Sequence, residues 1–513
     1  MKEKAVKTIS FMAVIILFAK FLGLFRETMI AGVFGQGNAS DILNTATQIP
    51  LLFFDMTLGV AILSTFVPVF NGYLEKEGRE RAEQFACNFI SVVGLISIIG
   101  VAIGMIFAKP VLNLMVSGYT PEKIDETATL LRIIFPSIIF TGIAYIIVGI
   151  LQSYGEFNVP SLISVVSNLI MIIYLFVFGK RLGLKGVIIS MLIAWMSQVF
   201  FQLPSLKKKG FKYKFILNFK NEGIKKCALM AIPVLISSWV NPLCSVINMA
   251  FGSHMAEGTV SGLNWAYKIY IIMVGVFAYA ITNFIFPKLS RMTDKKEEFA
   301  DTARTSLSWV IFIITLIAGL FIALSEPVIR LIFERGEFTA ENTRITATAL
   351  FYYSFGMVGY AICEILNKSF YALRDGKTPM IASVIGVAIN FVTALIFTQV
   401  FPMGIGGLAL ASAVSSIGIA LILLYRINKK KQGTVTKNFI VNTAKVLLCG
   451  IASGIVAHIV YNGVKIIGQG FIYTVIELGI SATVGITVYI IAGIVLRTQE
   501  IKLLFKKVGK RNE

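Results

Sequence analysis

The sequence is poor in charged residues, in histidine and in paired cysteines. Of its 513 residues, 14% are charged and 56% are hydrophobic, whereas a typical soluble domain carries about 25% charged residues. This composition excludes a soluble multidomain enzyme. Two histidines and five cysteines, with no CxxC or Cys/His spacing, leave almost no ligands for a zinc or haem site. We therefore expect no metal, no cofactor and buried free thiols.

Enzyme signatures are also missing. The chain has no P-loop, no GxSxG and no HExxH motif, which carry phosphate binding, acyl transfer and zinc hydrolysis in other proteins. The segments between apolar runs are too short to form a catalytic domain. We expect that the protein is not an enzyme and not an ATP-driven pump.

Long apolar runs fill most of the chain. Because a membrane-spanning helix needs about 20 mostly apolar residues, these runs predict an all-α polytopic membrane protein with fourteen spans. The first span follows a basic segment but contains Lys20 and lacks a cleavage site, so we expect it to be retained. The predicted spans are 9–33, 41–72, 86–109, 126–153, 160–180, 184–205, 225–251, 258–288, 303–325, 343–372, 379–400, 404–427, 438–462 and 469–496.

Positive charge is in excess, and its distribution predicts the orientation in the membrane. The chain has 47 Lys and Arg against 27 Asp and Glu, a net charge of +20. The excess lies in alternate connections, which the positive-inside rule assigns to the cytoplasm together with both termini. A nucleic-acid partner is not expected, because the apolar runs leave little basic face open to water. The connections of this set carry most of the Lys and Arg outside the apolar runs; they are 73–84, 207–226, 291–304, 426–437 and the tail. Of these, 207–226 is a secondary candidate for a lipid-surface role.

The chain contains an internal repeat. Residues 110–131 align with residues 327–350 at an offset that drifts from 217 to 219, and prolines before and after these segments match at an offset of 219. The matched segments fall on one predicted side of the membrane, so the halves are predicted to be parallel repeats with a substrate site between them. We predict a six-helix lobe over 1–216, a six-helix lobe over 217–432, and two further helices with a basic tail over 433–513. The aligned pairs include Pro68 with Pro287, Pro110 with Pro327, Gly118 with Gly336, Glu122 with Glu341 and Pro160 with Pro379.

Several ionisable residues fall within or beside the predicted spans, where charge is costly and by default indicates function. They are Lys20, Arg26, Glu27, Asp41, Asp55, Arg132 and Lys268. In one interpretation they only pair with each other, for example Lys20 with Asp55 or Arg26 with Asp41, and lock helices together. In the other they line a hydrated cationic cavity for an anionic headgroup, because buried cations beyond those paired need a mobile counter-anion.

Four segments resemble a known family. The segment AKFLGLFRETMIAGVFGQGNASDILNTATQIP (19–50), followed by STFVPVF (64–70), is similar to the opening signature of the murein lipid II flippases (MurJ, also called MviN). This family belongs to the multidrug/oligosaccharidyl-lipid/polysaccharide (MOP) exporter superfamily. The segments LIFERGEFTAENTRITATAL (331–350) and KSFYALRDGKTP (368–379) resemble that family's ninth-to-tenth-helix loop and tenth-to-eleventh-helix connection.

The resemblance implies a flippase of the bacterial cytoplasmic membrane. Such a protein moves lipid II, the undecaprenyl-diphosphate-linked peptidoglycan precursor, to the outer leaflet by alternating access. Membrane lipids and other cell-wall synthesis proteins are the further partners that the family implies. The last two helices would form a groove for the lipid tail.

The family's site residues carry over by position. Its essential first-helix arginines fall on Lys20 and Arg26, and its eighth-helix arginine on Lys268, which implies that these three cations bind the diphosphate. Its second-helix aspartate falls on Asp41, which with Glu27 would orient the cations or gate the outer side. Arg132 is a further candidate contact.

The sequence departs from the family pattern at two places. Phe54 and Asp55 stand where many members have an Arg-Arg pair, which affects any gating role at those positions. The seventh and eleventh helices offer Asn241 and Asn390 but no carboxylate, so coupling to sodium is not predicted.

Three alternative functions stay open from the sequence. An exporter of another undecaprenyl-linked saccharide would use the same cationic site. A drug/cation antiporter of the same superfamily would need a cavity dominated by carboxylates. An integral-membrane glycosyltransferase would need a large outer loop with paired carboxylates.

Overall fold

The computed structural model describes residues 2–54, 59, 62–464 and 470–509, and over these residues the chain is helical, with no β-strand. The all-α class is therefore confirmed. Asp55 lies outside the described residues. Within them the five cysteines are free thiols, of which four are buried and Cys244 is partly buried.

The helices follow one another with short connections, and two π-helical segments, Ile62–Phe66 and Ile396–Val400, interrupt them. The α-helices of the described residues are α1 Lys2–Phe34, α2 Asn38–Phe54, α3 Val67–Lys76, α4 Arg79–Ile106, α5 Ala108–Met115, α6 Pro121–Ile134, α7 Ser137–Ser153, α8 Asn158–Phe178, α9 Gly183–Lys208, α10 Glu222–Ser238, α11 Val240–Ser253, α12 Thr259–Ser290, α13 Lys296–Phe333, α14 Ala340–Ser354, α15 Met357–Ala372, α16 Lys377–Leu395, α17 Ile405–Lys430, α18 Lys437–Val464, α19 Phe471–Val495 and α20 Gln499–Gly509.

The long apolar helices coincide with the predicted spans. Among the described residues 10 helices are long and apolar enough to cross a membrane, or 11 when α14 and α15, bent by 49°, count as one span. Three predicted spans remain, and shorter, broken or charge-bearing helices overlap them. The first span overlaps α1, the second overlaps α2 and α3, and the seventh overlaps α10 and α11. The multi-pass membrane fold is thus confirmed, and the count of fourteen stays a prediction.

The chain forms two compact units, Met1–Val260 and Ser261–Glu513. The first unit includes α10 and α11, which follow the repeat boundary predicted after residue 216; α10 packs against α3, and α11 packs against α5. A Cβ on Gly223 would lie 2.7 Å from the ring of Phe85, so a glycine is needed where α10 begins. The division into lobes by sequence repeat stays a prediction.

The first unit is held together by pairs of long helices and an aromatic cluster. Helix α8 packs between α1 and α9, α7 packs against α4 and α9, and α2 packs against α6. The buried rings of Phe66, Phe70 and Phe85 stack at centroid distances of 5.5 Å and 5.7 Å from Phe66. This packing fixes α4 against α3 and α7 at one end of the unit.

In the second unit α18 packs against both α13 and α19 through small residues. A Cβ on Gly319 would lie 2.5 Å from the Gly450 carbonyl oxygen, and one on Gly454 would lie 2.8 Å from the Gly319 oxygen. The two backbones are therefore nearly in contact, as in the small-residue interfaces of membrane helices. The last two spanning helices of the chain are docked on α13 in this way.

We predict that Gly319→Ala destabilises the protein. The added methyl group meets the backbone of α18, which cannot rotate away, and overpacking of this kind costs about 1–3 kcal/mol. The measurement is the thermal unfolding midpoint of the purified protein in detergent. Gly479→Ala is the matched control, because a Cβ there has nothing within 4 Å. Equal midpoints for the two variants would contradict this account of the helix contact.

Candidate functional site

Arg26 is held in place by its neighbour on α1 and by a residue of α8. Its Nη2 donates to Glu27 Oε1 at 2.6 Å, and its Nη1 donates to Asn168 Oδ1 at 3.1 Å. Asn168 in turn donates from Nδ2 to the Ala19 carbonyl oxygen at 3.3 Å. Glu27 and Asn168 are both buried. These bonds orient the guanidinium at the contact between α1 and α8.

The guanidinium of Arg26 still has unused hydrogen-bonding capacity. Its Nε is buried, and among the described residues it has no hydrogen-bond partner. A guanidinium has five N–H donors, of which Glu27 and Asn168 receive one each. A planar, always charged group with donors to spare is suited to the oxygens of a phosphate.

The other predicted cations lie on two different helices. Lys20 is partly exposed on α1, two turns before Glu27. Lys268 is partly exposed on α12 of the second unit, between Tyr267 and Tyr270, whose rings lie 5.8 Å apart. Arg26 and Lys20 therefore belong to the first unit and Lys268 to the second, and the convergence of all three on one cavity stays a prediction.

Asp41 forms a second, buried ionic cluster within the first unit. Its carboxylate is in the first turn of α2, where negative charge is favourable, and its Oδ2 accepts from Lys123 Nζ at 3.3 Å and from the Gly258 N–H at 2.9 Å. Lys123 lies 4.0 Å from the centroid of the Tyr119 ring. The Tyr119 hydroxyl contacts Thr45 Oγ1 at 3.0 Å. Burial raises the pKa of the Tyr119 phenol.

Three connections meet around Asp41. Gln36, from the connection between α1 and α2, donates from Nε2 to the Gly258 carbonyl oxygen at 2.8 Å. Gly118, before α6, donates its N–H to Ser253 Oγ at 3.1 Å. Gly258 has a φ of +85°, and a Cβ there would lie 2.8 Å from Gln36 Cγ, so the position requires glycine. Asp41 thus ties the residues just before α12 to the start of α2.

Arg132 has a contact of a different kind. Its Nε donates to the Met105 carbonyl oxygen at 3.1 Å, in the last turn of α4. The carbonyls at a helix end have no partner within the helix, so Arg132 joins α6 to the end of α4. Its contact with substrate stays a prediction.

The ion pairs differ from the examples drawn from the sequence. The structure pairs Arg26 with Glu27 and Asp41 with Lys123, where one interpretation suggested Arg26 with Asp41. The suggested pair of Lys20 with Asp55 falls partly outside the described residues. Sequence reasoning missed two participants, Lys123 and Asn168. Lys123 lies in the first turn of α6, in a segment that the sequence had assigned to a connection poor in basic residues. Asn168 could have been found as a polar residue inside an apolar span.

The fold is shared with solved structures of transporters. The chain resembles the solved structure titled "Inward-facing conformation of a multidrug resistance MATE family transporter of the MOP superfamily", with a TM-score of 0.67 over 82% of this chain and 98% of that chain at 14% identity. At this identity the likeness shows the fold alone. The family model described as "Lipid II flippase MurJ" matches residues 30–500. The chain belongs to the MurJ family.

Individual relatives agree with the family model. The chain is 26% identical to the "Probable lipid II flippase MurJ" of Buchnera aphidicola over 82% of both chains. It is also 26% identical to the protein of the same name from Rickettsia prowazekii, over 93% of this chain and 95% of that one. The solved structure "Lipid II flippase MurJ, inward closed conformation" matches with a TM-score of 0.79 and 25% identity, over 95% of this chain and 98% of that chain.

We predict that Asp41→Asn destabilises the first unit through Lys123. The substitution leaves a buried ammonium without its carboxylate, and removing one partner of a buried pair costs about 3–5 kcal/mol. Adding Lys123→Met restores part of the loss, because the unpaired charge is gone. The thermal unfolding midpoints of the two single variants and the double variant measure the coupling.

The exposed pair of Lys109 with Asp125 is the matched control. Asp125→Asn is expected to change the free energy of unfolding by less than about 1 kcal/mol, because solvent screens an exposed pair. If Asp41→Asn were no more destabilising than Asp125→Asn, the cluster would not be the support described here.

Proposed function

We propose that this chain is a lipid II flippase that moves the precursor from the cytoplasmic to the outer leaflet by alternating access. Membership of the MurJ family over residues 30–500 supports the substrate. The observation that carries the mechanism is the guanidinium of Arg26, oriented by Glu27 and Asn168 and left with a buried, unused donor.

The charge that the site must accommodate is the diphosphate of the precursor. Lys20 lies roughly 16 Å along the first predicted span, from the rise of 1.5 Å per residue, and Arg26 lies beyond it on the same helix. Charge-assisted hydrogen bonds to phosphate are the strong ones in a medium of low dielectric. In this proposal Arg26 supplies directed donors, and Lys20 and Lys268 supply point charges. The sugars and peptide follow the diphosphate, and the lipid tail stays in the bilayer.

Glu27 and Asp41 have separate roles in this mechanism. Glu27 orients Arg26 and offsets part of its charge, so that the diphosphate is bound but can leave. Asp41 holds Gly258, the residue directly before α12, and α12 carries Lys268. Asp41 and Lys123 would therefore stabilise the closed outer side, and the cluster must shift when that side opens. The assignment of Asp55 to the site rests on the sequence alone.

The orientation and the lipid-tail groove belong to the same proposal. The basic connections and both termini would face the cytoplasm of a bacterial cell. Helices α18 and α19 expose apolar side chains, among them Ile455, Ile459, Ile472 and Ile476, as expected of a surface that meets acyl chains. The lobes 1–216 and 217–432 would rock about the substrate, and other cell-wall synthesis proteins would act before and after the transfer.

We predict that Arg26→Ala and Lys268→Ala each abolish complementation of a strain depleted of its own lipid II flippase. Each loses a charge-assisted contact worth about 1.5–3 kcal/mol, or roughly ten- to hundredfold in transport rate. Arg26→Lys is expected to retain partial activity, because it keeps the positive charge but loses the planar guanidinium that can donate two parallel hydrogen bonds to a phosphate. Growth and the accumulation of lipid II in the inner leaflet are the readouts, at matched expression.

Lys185→Ala is the matched control, because Lys185 is an exposed cation at the start of α9, and normal growth is expected. Normal growth of both Arg26→Ala and Lys268→Ala would refute the cationic site. Accumulation of a different undecaprenyl-linked saccharide in place of lipid II would assign the transport to that substrate.

A further inference from the structure

An extended segment between α9 and α10, residues 211–220, lies along α4 without forming a helix or a strand; we call it the strap. The side-chain amide of Asn88, on α4, makes two hydrogen bonds to the backbone of Asn218 in the strap. Its Oδ1 accepts from the Asn218 N–H at 2.7 Å, and its Nδ2 donates to the Asn218 carbonyl oxygen at 2.9 Å. Ser91 Oγ contacts the Tyr213 hydroxyl at 2.9 Å, and Cys87 Sγ accepts from the Lys214 N–H at 3.4 Å. One face of α4 therefore holds the backbone of the strap.

The length of α4 places the strap at a membrane boundary. Helix α4 has 28 residues, whereas the hydrocarbon core needs about 20. If α4 ends at the far boundary at Ile106, about 20 residues counted back reach residue 87, where the contacts with the strap begin. The strap then runs at the depth of the lipid headgroups.

Apart from Asn218, the exposed side chains of the strap are either large and apolar or positively charged. Phe215 is 73% exposed, and Tyr213, Leu217 and Phe219 are also exposed. Residues 207–220 contain six lysines and no acidic residue. Aromatic residues next to lysines are typical of the interface between hydrocarbon and headgroups, where rings sit among the acyl chains and ammonium groups reach the phosphates.

We propose that the strap binds anionic phospholipid headgroups of the leaflet that it borders. The lysines are complementary to the negative surface of that leaflet, and each lysine near such a surface strengthens binding about fivefold. The four exposed apolar side chains enter the acyl region and are removed from water. The hydrogen bonds from Cys87, Asn88 and Ser91 of α4 already order the backbone of the strap, so little conformational entropy is lost when it binds headgroups. This role does not depend on the substrate that the protein transports.

The test is hydrogen exchange of the full-length protein in lipid nanodiscs, with phosphatidylcholine alone or with added phosphatidylglycerol. We expect backbone amides of the strap to exchange about fivefold or more slowly in the anionic discs, and salt to reduce the difference by screening. The triple variant Lys212→Glu/Lys214→Glu/Lys220→Glu is expected to exchange equally in both lipids, because it loses the positive charge. These side chains make none of the strap's hydrogen bonds with α4, so those bonds are kept. Phe215→Ser/Phe219→Ser reduces the difference between the two lipids.

Lys295→Glu/Lys296→Glu is the matched control, because these lysines lie in a connection rich in acidic residues, and it keeps the wild-type difference. Unchanged exchange of α4 peptides shows that the variants are folded. Equal exchange of the strap in both lipids, or a difference that survives in the triple variant or is insensitive to salt, would overturn the proposal. Protection only in discs that hold two copies would make the strap a contact between copies and would overturn it as well.

Discussion

The structure depends first on the cost of keeping an arginine inside an apolar helix bundle. An isolated charge there costs several kcal/mol, and Arg26 avoids it through Glu27 beside it and Asn168 across the helix contact. The same two bonds that make the burial possible also orient the guanidinium. This arrangement supports the proposed anion site, because the pair with Glu27 leaves the Arg26 Nε donor unused among the residues that the structure describes.

The cluster around Asp41 solves a similar problem at a different place. Asp41 and Lys123 are buried together, and the backbone N–H of Gly258 donates a further hydrogen bond to the Asp41 carboxylate. Because the loss of either partner leaves an uncompensated buried charge, the pair holds the connections around it in one arrangement. This is the physical property expected of a structure that stabilises one state of a transporter. Cys87, Asn88 and Ser91 of α4 hold a further connection, residues 211–220, in that case by neutral hydrogen bonds.

The sequence predicted the positions of the spans well because hydrophobic length is a local property. Within two of the apolar runs the structure adds a break that the span limits do not show: the run 126–153 is two helices separated at Phe135 and Pro136, and the run 343–372 is α14 and α15 with a bend of 49°. Hydropathy alone does not show such a bend, although Pro136 was a local signal. Arg26 was recognised from its depth, and its partner Glu27 is adjacent to it.

The pairing of Asp41 with Lys123 could not be predicted, because 82 positions separate the two residues and only the packing of α2 on α6 brings them together. Asn168 was detectable as a polar residue inside an apolar span, but its contact with Arg26, 142 positions away, was not. Resemblance to the MurJ family supplied what composition could not, the diphosphate as the anion, and the family model over residues 30–500 confirmed the family.

The most direct test of the central claim is the binding selectivity of the purified protein for the diphosphate. Native mass spectrometry would compare binding of lipid II and of undecaprenol, which has a polyprenyl tail but no phosphate, to the wild type and to Arg26→Gln. The account predicts that the wild type prefers lipid II and that this preference falls roughly tenfold or more in the variant, in line with the loss of a charge-assisted contact. An unchanged preference in Arg26→Gln would contradict it.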